Sequence, residues 1–226
     1  MTDSENLSHI DHTLLKAVSS WAEIGKLCDE AVRFKTASVC VPPSYVKGIH
    51  NVYREELVIC TVIGFPLGYS VSAAKLQEAE EALAEGAREI DMVINLGDVK
   101  NNAFDKVEDE IYALKKETGK RILKVIVETC YLTREEKIRL CEIVTSAGAD
   151  YINTSTGFGT AGATLEDVLL FKEHIGPNVK IKAAGGVKTR EDLERFISSG
   201  CDRIGTCSAV ALLTGSGAQT NSPIGD

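Results

Sequence analysis

Apolar and polar positions follow a repeating order along the chain: a short apolar run, a polar turn, then a stretch with apolar residues at helical spacing. Eight runs carry a strand signal, at 8–11, 36–41, 57–64, 89–95, 122–128, 150–155, 179–184 and 202–206. Several are near-continuous Val/Ile runs, as parallel strands covered by helices require. Helical spacing follows at 21–34, 43–53, 72–85, 102–117, 133–147, 164–175, 190–199 and, briefly, 208–213. Thr133, with Glu136 three residues on, has the signature of a capping box. Gly86, Gly148 and Gly200 each fall just past a helical pattern, where a left-handed terminator belongs.

Eight strand–helix units in 226 residues average about 28 residues each, the arithmetic of a single-domain α/β fold, the (β/α)8 TIM barrel. A doubly wound open sheet shows the same alternation and remains an alternative. No GxGxxG follows the first strand run and no GxxxxGK[ST] occurs anywhere, which removes the main support for dinucleotide and P-loop sites. The expected domain is 1–213, followed by a polar, glycine-rich and flexible tail at 214–226.

Composition narrows the picture. The chain is 44% hydrophobic and 26% charged, as in an ordinary folded domain. Its net charge of −8 and the lack of a basic run argue against nucleic acid or an anionic membrane surface as partner. A local pocket can still be positive and take an anionic small molecule. There is no apolar run long enough for a membrane span and no secretory signal pattern at the N-terminus. The seven cysteines form no CxxC pair, and most lie in apolar runs, which reads as reduced core cysteine in a cytoplasmic protein. His9 and His12 lie close in sequence, but a turn role suits them better than metal binding, and no metal or other cofactor is expected.

Catalytic groups of such a barrel sit at the C-terminal ends of strands, so charges inside strands need an explanation. Three stand out: Asp91 in EIDMVIN, Lys124 in ILKVIVE and Lys182 in VKIKAAGG. With a period of two, Asp91 shares a face with Val93 and Asn95, Lys124 with Ile126 and Glu128, and Lys182 with Lys180 and Ala184. Turned inward, they converge in the barrel mouth, where charge is costly unless it is paired or used. Turned outward, they are unremarkable charges facing helices or solvent.

Glycines form a second constellation. Gly185 and Gly186 end the seventh strand, and Gly205, Thr206 and Ser208 end the eighth before a short helix. Loops in these positions are the usual phosphate site of the architecture, because glycine lets backbone N–H groups approach an anion. Gly157 and Gly159 after the sixth strand supply a third wall. The plain alternative is that all of these only make tight turns. Gly64–Gly68 (GFPLG) reads as a rigid turn, Cys40 as a thiol that is buried or faces the pocket, and Asp11 and Thr13 as binders of substrate hydroxyls or caps of the first turn.

DHTLL at 11–15, SVCV at 38–41, GFPLG at 64–68, EIDMVIN at 89–95, LKVIVET at 123–129, TSTGFG at 154–159, KAAGG at 182–186 and RIGT at 203–206 together resemble the deoxyribose-phosphate aldolase family, over residues 8–213. The resemblance implies a metal-free class I aldolase that reversibly cleaves 2-deoxy-D-ribose 5-phosphate to acetaldehyde and glyceraldehyde 3-phosphate through a lysine Schiff base, and that forms a homodimer or larger homo-oligomer. By position it makes Asp91 the proton-relay carboxylate, Lys182 the lysine that keeps its neighbour deprotonated, and Lys124 the further lysine of the site. Thr154, Thr156 and Gly157 fall with the substrate-binding segment. In the family's pattern K-T-S-T-G-F the first residue is the Schiff-base lysine; here that residue is Asn153. A carboxamide nitrogen, delocalised into its carbonyl, cannot form an imine, so aldolase activity is expected to be severely impaired while sugar-phosphate recognition survives. The competing readings are a sugar-phosphate-binding pseudoenzyme and a non-covalent sugar-phosphate isomerase. A smaller departure lies after the eighth strand, where the family often has T-S-S-G and this chain has Thr206-Cys207-Ser208-Ala209.

Overall fold

A computed structural model describes residues 1–215 and shows a closed barrel of eight parallel strands in sequence order. The strands are β1 (Ile10–Thr13), β2 (Ser38–Val41), β3 (Ile59–Ile63), β4 (Glu89–Val93), β5 (Ile122–Ile126), β6 (Tyr151–Asn153), β7 (Lys180–Ala184) and β8 (Arg203–Thr206). The pairing of β1 with β8 closes the ring and excludes the open-sheet alternative. The helices are α1 (Asp3–Leu7), α2 (Trp21–Phe34), α3 (Val46–Tyr53), α4 (Ser72–Ala84), α5 (Leu96–Lys100), α6 (Phe104–Thr118), α7 (Arg134–Ser146), α8 (Leu165–His174), α9 (Arg190–Ser199) and α10 (Ala209–Thr214).

Local chemistry explains why the helices begin where they do. Ser20, Thr133 and Thr189 close capping boxes on α2, α7 and α9 with Glu23, Glu136 and Asp192, satisfying backbone donors that a helix start leaves unpaired. On α2, Ile24, Leu27, Cys28 and Ala31 are buried, the i, i+3, i+4, i+7 stripe of a helix laid on a core. The outward residues of the strands, among them Val39, Val41, Ile90, Met92, Leu123, Val125, Ile152 and Ile204, belong to the same buried cluster. The hydrophobic core is therefore the layer between barrel and helices, which leaves the barrel interior for polar residues.

The sequence expectations differ from the structure at α1, for which no sequence signal was read, at several strand ends, and at the following points. The first strand lies at Ile10–Thr13 rather than 8–11, and the carbonyl of His9, just before it, accepts the Ile204 N–H of β8 at 2.8 Å while its ring Nδ1 lies 2.9 Å from the Asp202 carbonyl oxygen. The helix expected at 43–53 begins as a 3-10 turn, Pro43–Tyr45, and the one expected from 102 begins at Phe104, preceded by the separate α5. The domain boundary set at 213 falls inside α10, which runs to Thr214, while the tail expectation for 216–226 lies outside the described residues. Among the described residues no helix is long and apolar enough to cross a membrane.

Candidate active site in the barrel interior

Strand registers place inward residues opposite one another around the ring: Asp11 with Ser38, Cys40 with Cys60, Cys60 with Glu89, Asp91 with Lys124, Asn153 with Lys182, and Lys182 with Arg203. Because alternate strands feed each layer of a barrel core, three layers of four follow. The lowest is Ser38, Glu89, Tyr151 and Arg203. The middle is Asp11, Cys60, Lys124 and Lys182. The uppermost of the three, with inward Thr13, Val62, Ile126 and Ala184 beyond it towards the mouth, is Cys40, Asp91, Asn153 and Gly205. Branched apolar side chains usually fill such layers; here charged side chains dominate.

Those charges pair completely. Lys124 Nζ lies 2.6 Å from Glu89, 2.8 Å from Asp91 and 3.5 Å from Asp11. Lys182 Nζ lies 2.6 Å from both Asp11 and Asp91. Arg203 donates to Asp11 at 2.6 Å and to Glu89 at 3.1 and 3.2 Å, and the Ser38 hydroxyl donates to Asp11 at 2.8 Å. Three cations thus face three carboxylates. Lys124 and Asp11 are wholly buried and Asp91 and Lys182 nearly so. Burial pushes the carboxyls of Asp11 and Asp91 up, but Lys124 and Lys182 (with Arg203 at Asp11) outweigh it and hold both below the usual range. Burial likewise opposes the charge on Lys124 and Lys182, yet Asp11 and Asp91 leave both titrating above an ordinary lysine. At neutral pH both lysines are ammonium ions and both aspartates are carboxylates.

Asn153, 1% exposed, extends its amide from the uppermost layer. Nδ2 lies 3.5 Å from Asp91 Oδ2 and Oδ1 accepts the Ser155 N–H at 3.4 Å. Asp91, Lys124, Lys182 and Asn153 therefore converge as the inward reading of the strand pattern expects. Asp11 is at the same centre: its carboxylate serves Lys182, Arg203 and Ser38 within the barrel instead of standing at the rim. Thr13 is half-buried, its hydroxyl donating to the Asp11 carbonyl. Cys40 is buried with Cys60 and Val62 against Leu15 and Phe65. Cys40, Cys60 and Asp91 have potential metal-ligand atoms within 4.8 Å of one another. The Lys124 ammonium, 3.2 Å from Cys60 Sγ and 2.8 Å from Asp91, already supplies positive charge there, and burial raises the Cys60 thiol. The donor set therefore suits an ammonium better than a metal ion. His9 and His12 do not converge, since His12 pairs with Glu30 at 2.9 Å.

Above the layers, three turns meet. Gly157, Gly185 and Gly186 adopt left-handed φ of 83°, 74° and 80°. A Cβ on Gly162 would stand 2.4 Å from the Gly185 carbonyl carbon, and one on Gly185 3.6 Å from Gly157 Cα, so the loops after β6 and β7 pack backbone to backbone. Thr154 ties them, its hydroxyl accepting the Ala184 N–H at 3.1 Å. Thr206 accepts the Ser208 N–H at 3.2 Å and caps the turn after β8. Gly205 is different: it lies inside the barrel, where a Cβ would stand 3.1 Å from Lys182 Cε, so its bareness gives Lys182 room.

Glu89, Arg203, Ser38 and Cys60 belong to this centre without having been singled out from the sequence. Glu89 and Arg203 open their strands, where a surface charge is ordinary. The available signal was the period of two that puts Glu89 on the face of Asp91.

The likeness to known proteins agrees with this geometry. Residues 7–217 match the family model described as DeoC/LacD family aldolase. A protein of Clostridium botulinum (strain Alaska E43 / Type E3) named deoxyribose-phosphate aldolase is 63% identical over 219 residues, covering 97% of this chain and 99% of that one. A protein of the same name from Clostridioides difficile (strain 630) is 56% identical, covering 92% and 94%. Among solved structures, the tetrameric deoxyribose phosphate aldolase of Aeropyrum pernix superposes with a TM-score of 0.88 at 30% identity, over 95% of this chain and 92% of that one. With strand order, motif order and full-length likeness in agreement, the chain belongs to the deoxyribose-phosphate aldolase family of class I aldolases.

Proposed function

We propose that this chain holds 2-deoxy-D-ribose 5-phosphate, or its cleavage products acetaldehyde and glyceraldehyde 3-phosphate, in the barrel mouth, and that Asn153 leaves the family's carbon–carbon cleavage severely impaired. Charge balance carries the reading. Three cations and three carboxylates close the interior network, so each lysine present is held as an ammonium ion. An imine needs a neutral amine on the attacking side chain. A lysine at position 153 would be a fourth cation beside Lys182 with no carboxylate left over, and like-charge repulsion and burial would both push its pKa down towards the nucleophilic form. Asparagine offers no amine at all.

The remaining residues fit recognition. Asp91 reaches the uppermost layer and is placed to relay a proton. Lys182 and Lys124 fix Asp91 as a carboxylate. Thr154 and Thr156 brace the turns at the mouth, and Gly157, Gly185, Gly186, Thr206 and Ser208 lie where backbone N–H and hydroxyl groups would meet a sugar and its phosphoryl group. Lys182 cannot replace the missing nucleophile readily: it sits one strand along and is pinned by two carboxylates, and a misplacement of about 1 Å costs on the order of 100-fold in rate. The same network favours binding without turnover over a non-covalent isomerase, because Lys182, the electrophile such an isomerase would use, is engaged by both Asp11 and Asp91 rather than turned to a ligand. The relatives favour a homo-oligomer, and the buried, unpaired thiols favour the cytoplasm.

Steady-state cleavage of 2-deoxyribose 5-phosphate tests this. The chain is expected to turn over at least about 100-fold more slowly than its Asn153→Lys variant, with ligand affinity changed far less. Equal rates overturn the proposal.

A further inference from the structure

Glu128 lies just past β5, 3% exposed, with a left-handed backbone (φ 54°, ψ 67°) that is strained for a residue with a side chain. Unlike Asp11 and Asp91 it turns to uncharged partners. Its two carboxylate oxygens accept the Thr156 N–H at 3.2 and 3.3 Å, and Oε2 also accepts the Thr156 hydroxyl. The Thr156 hydroxyl oxygen in turn accepts the Phe158 N–H at 3.0 Å. Gly159 lies flat against the carboxyl group: a Cβ there would stand 3.1 Å from Glu128 Cδ and 2.8 Å from Cys130 Sγ. The neighbouring backbone is joined as well, Thr129 N–H donating to the Thr154 carbonyl at 2.8 Å. From this turn the chain runs to Gly162, which packs on Gly185. A continuous line of contacts therefore leads from Glu128 through Thr156 and the 157–162 loop to the glycine turn after β7.

We propose that Glu128 is a positioning residue for the anionic end of the substrate: it fixes the 156–159 turn against the 185–186 turn and thereby sets the spacing of the donors that receive a phosphoryl group. The proposal rests on the reading that these turns hold the phosphoryl group. It also accounts for a buried acid and a strained backbone in a place where neither serves the interior charge network.

The test compares affinities, so turnover is not needed. Dissociation constants for 2-deoxyribose 5-phosphate and for unphosphorylated 2-deoxyribose are measured, the latter by competition, on the chain and on Glu128→Ala and Glu128→Gln. The expected result is that Glu128→Ala reduces the preference for the phosphorylated sugar by about tenfold or more, the scale of one charge-assisted hydrogen bond. Glu128→Gln, whose carbonyl still accepts from Thr156, retains most of that preference. Should Glu128→Ala fail to fold by circular dichroism, Thr156→Val is expected to give the same selective loss. Unchanged preference in the variants, or an equal loss for both sugars, overturns the positioning role. Absence of any preference in the unsubstituted chain overturns the phosphate reading instead, and the positioning role with it.

Discussion

Asp11 joins much of the interior, since Lys182, Arg203 and the Ser38 hydroxyl all turn to it and Lys124 lies 3.5 Å away. Replacing one partner of a buried ion pair leaves the other charge uncompensated, at about 3–5 kcal/mol. Asp11→Asn is therefore expected to destabilise the fold by that order in urea unfolding, and a loss under 1 kcal/mol contradicts the network. The three charges flagged from the sequence, Asp91, Lys124 and Lys182, were legible because a charge flanked by branched apolar residues in a strand has few plain explanations. Asp11, Glu89 and Arg203 were less so, because their meaning depends on which strands the ring brings together. Glu128 was hidden more deeply: its importance lies in a backbone angle and in the turn it faces, neither of which leaves a mark on residue type.

At the scale of elements, the strands and most helices follow from spacing and caps, while the joins between them do not. Short connections such as α5 and the 3-10 turns are set by where neighbouring strands end, and local pattern says little about that. One join is pinned by charge. Lys75 of α4, fully buried, donates at 2.8 Å to the Val93 carbonyl at the end of β4 and at 2.8 Å to Glu110 of α6, which also accepts from Ser72. Two helices are thereby fixed to the end of β4, the strand that carries Asp91. Lys75→Met alone is expected to cost about 3–5 kcal/mol, whereas Lys75→Met with Glu110→Leu together is expected to restore most of it, because a well-packed apolar pair can replace a buried ion pair. Thermal or urea unfolding of both variants checks this; a double variant as unstable as the single one contradicts it.

For the whole molecule, the interior charges set the pH range of stability. Asp11 and Asp91 titrate lower in the folded chain than the unfolded value of about 3.9. They therefore contribute stability above that pH and lose it as pH falls through their folded values. Lys124 and Lys182 titrate above the unfolded value of about 10.4; their contribution is complete below it and is lost as pH rises further. Glu128 has the opposite sign to the two aspartates, since burial raises its carboxyl and favours the folded state on the acid side. With two aspartates against one glutamate, melting temperatures are expected to fall below about pH 4 and above about pH 10. Stability that stays level through either flank contradicts the pairing. The alternation of strands and helices was legible from the count of units, and the family from its motifs, whereas closure of the barrel rests on the pairing of β1 with β8. The filling of the interior with balanced charge became visible only when the registers were known.

On the reading proposed above, that balance leaves asparagine where an unpaired amine would otherwise stand, and no nucleophile beside it. Borohydride reduction with 2-deoxyribose 5-phosphate or acetaldehyde, followed by peptide mass mapping of this chain and of Asn153→Lys, tests the claim that no lysine here is a nucleophile. The expected result is no adduct on any lysine of this chain and a reduced adduct on the introduced lysine in the variant. An adduct on Lys182 or Lys124 of the unsubstituted chain would show that a neutral amine exists within the network, and would contradict the claim.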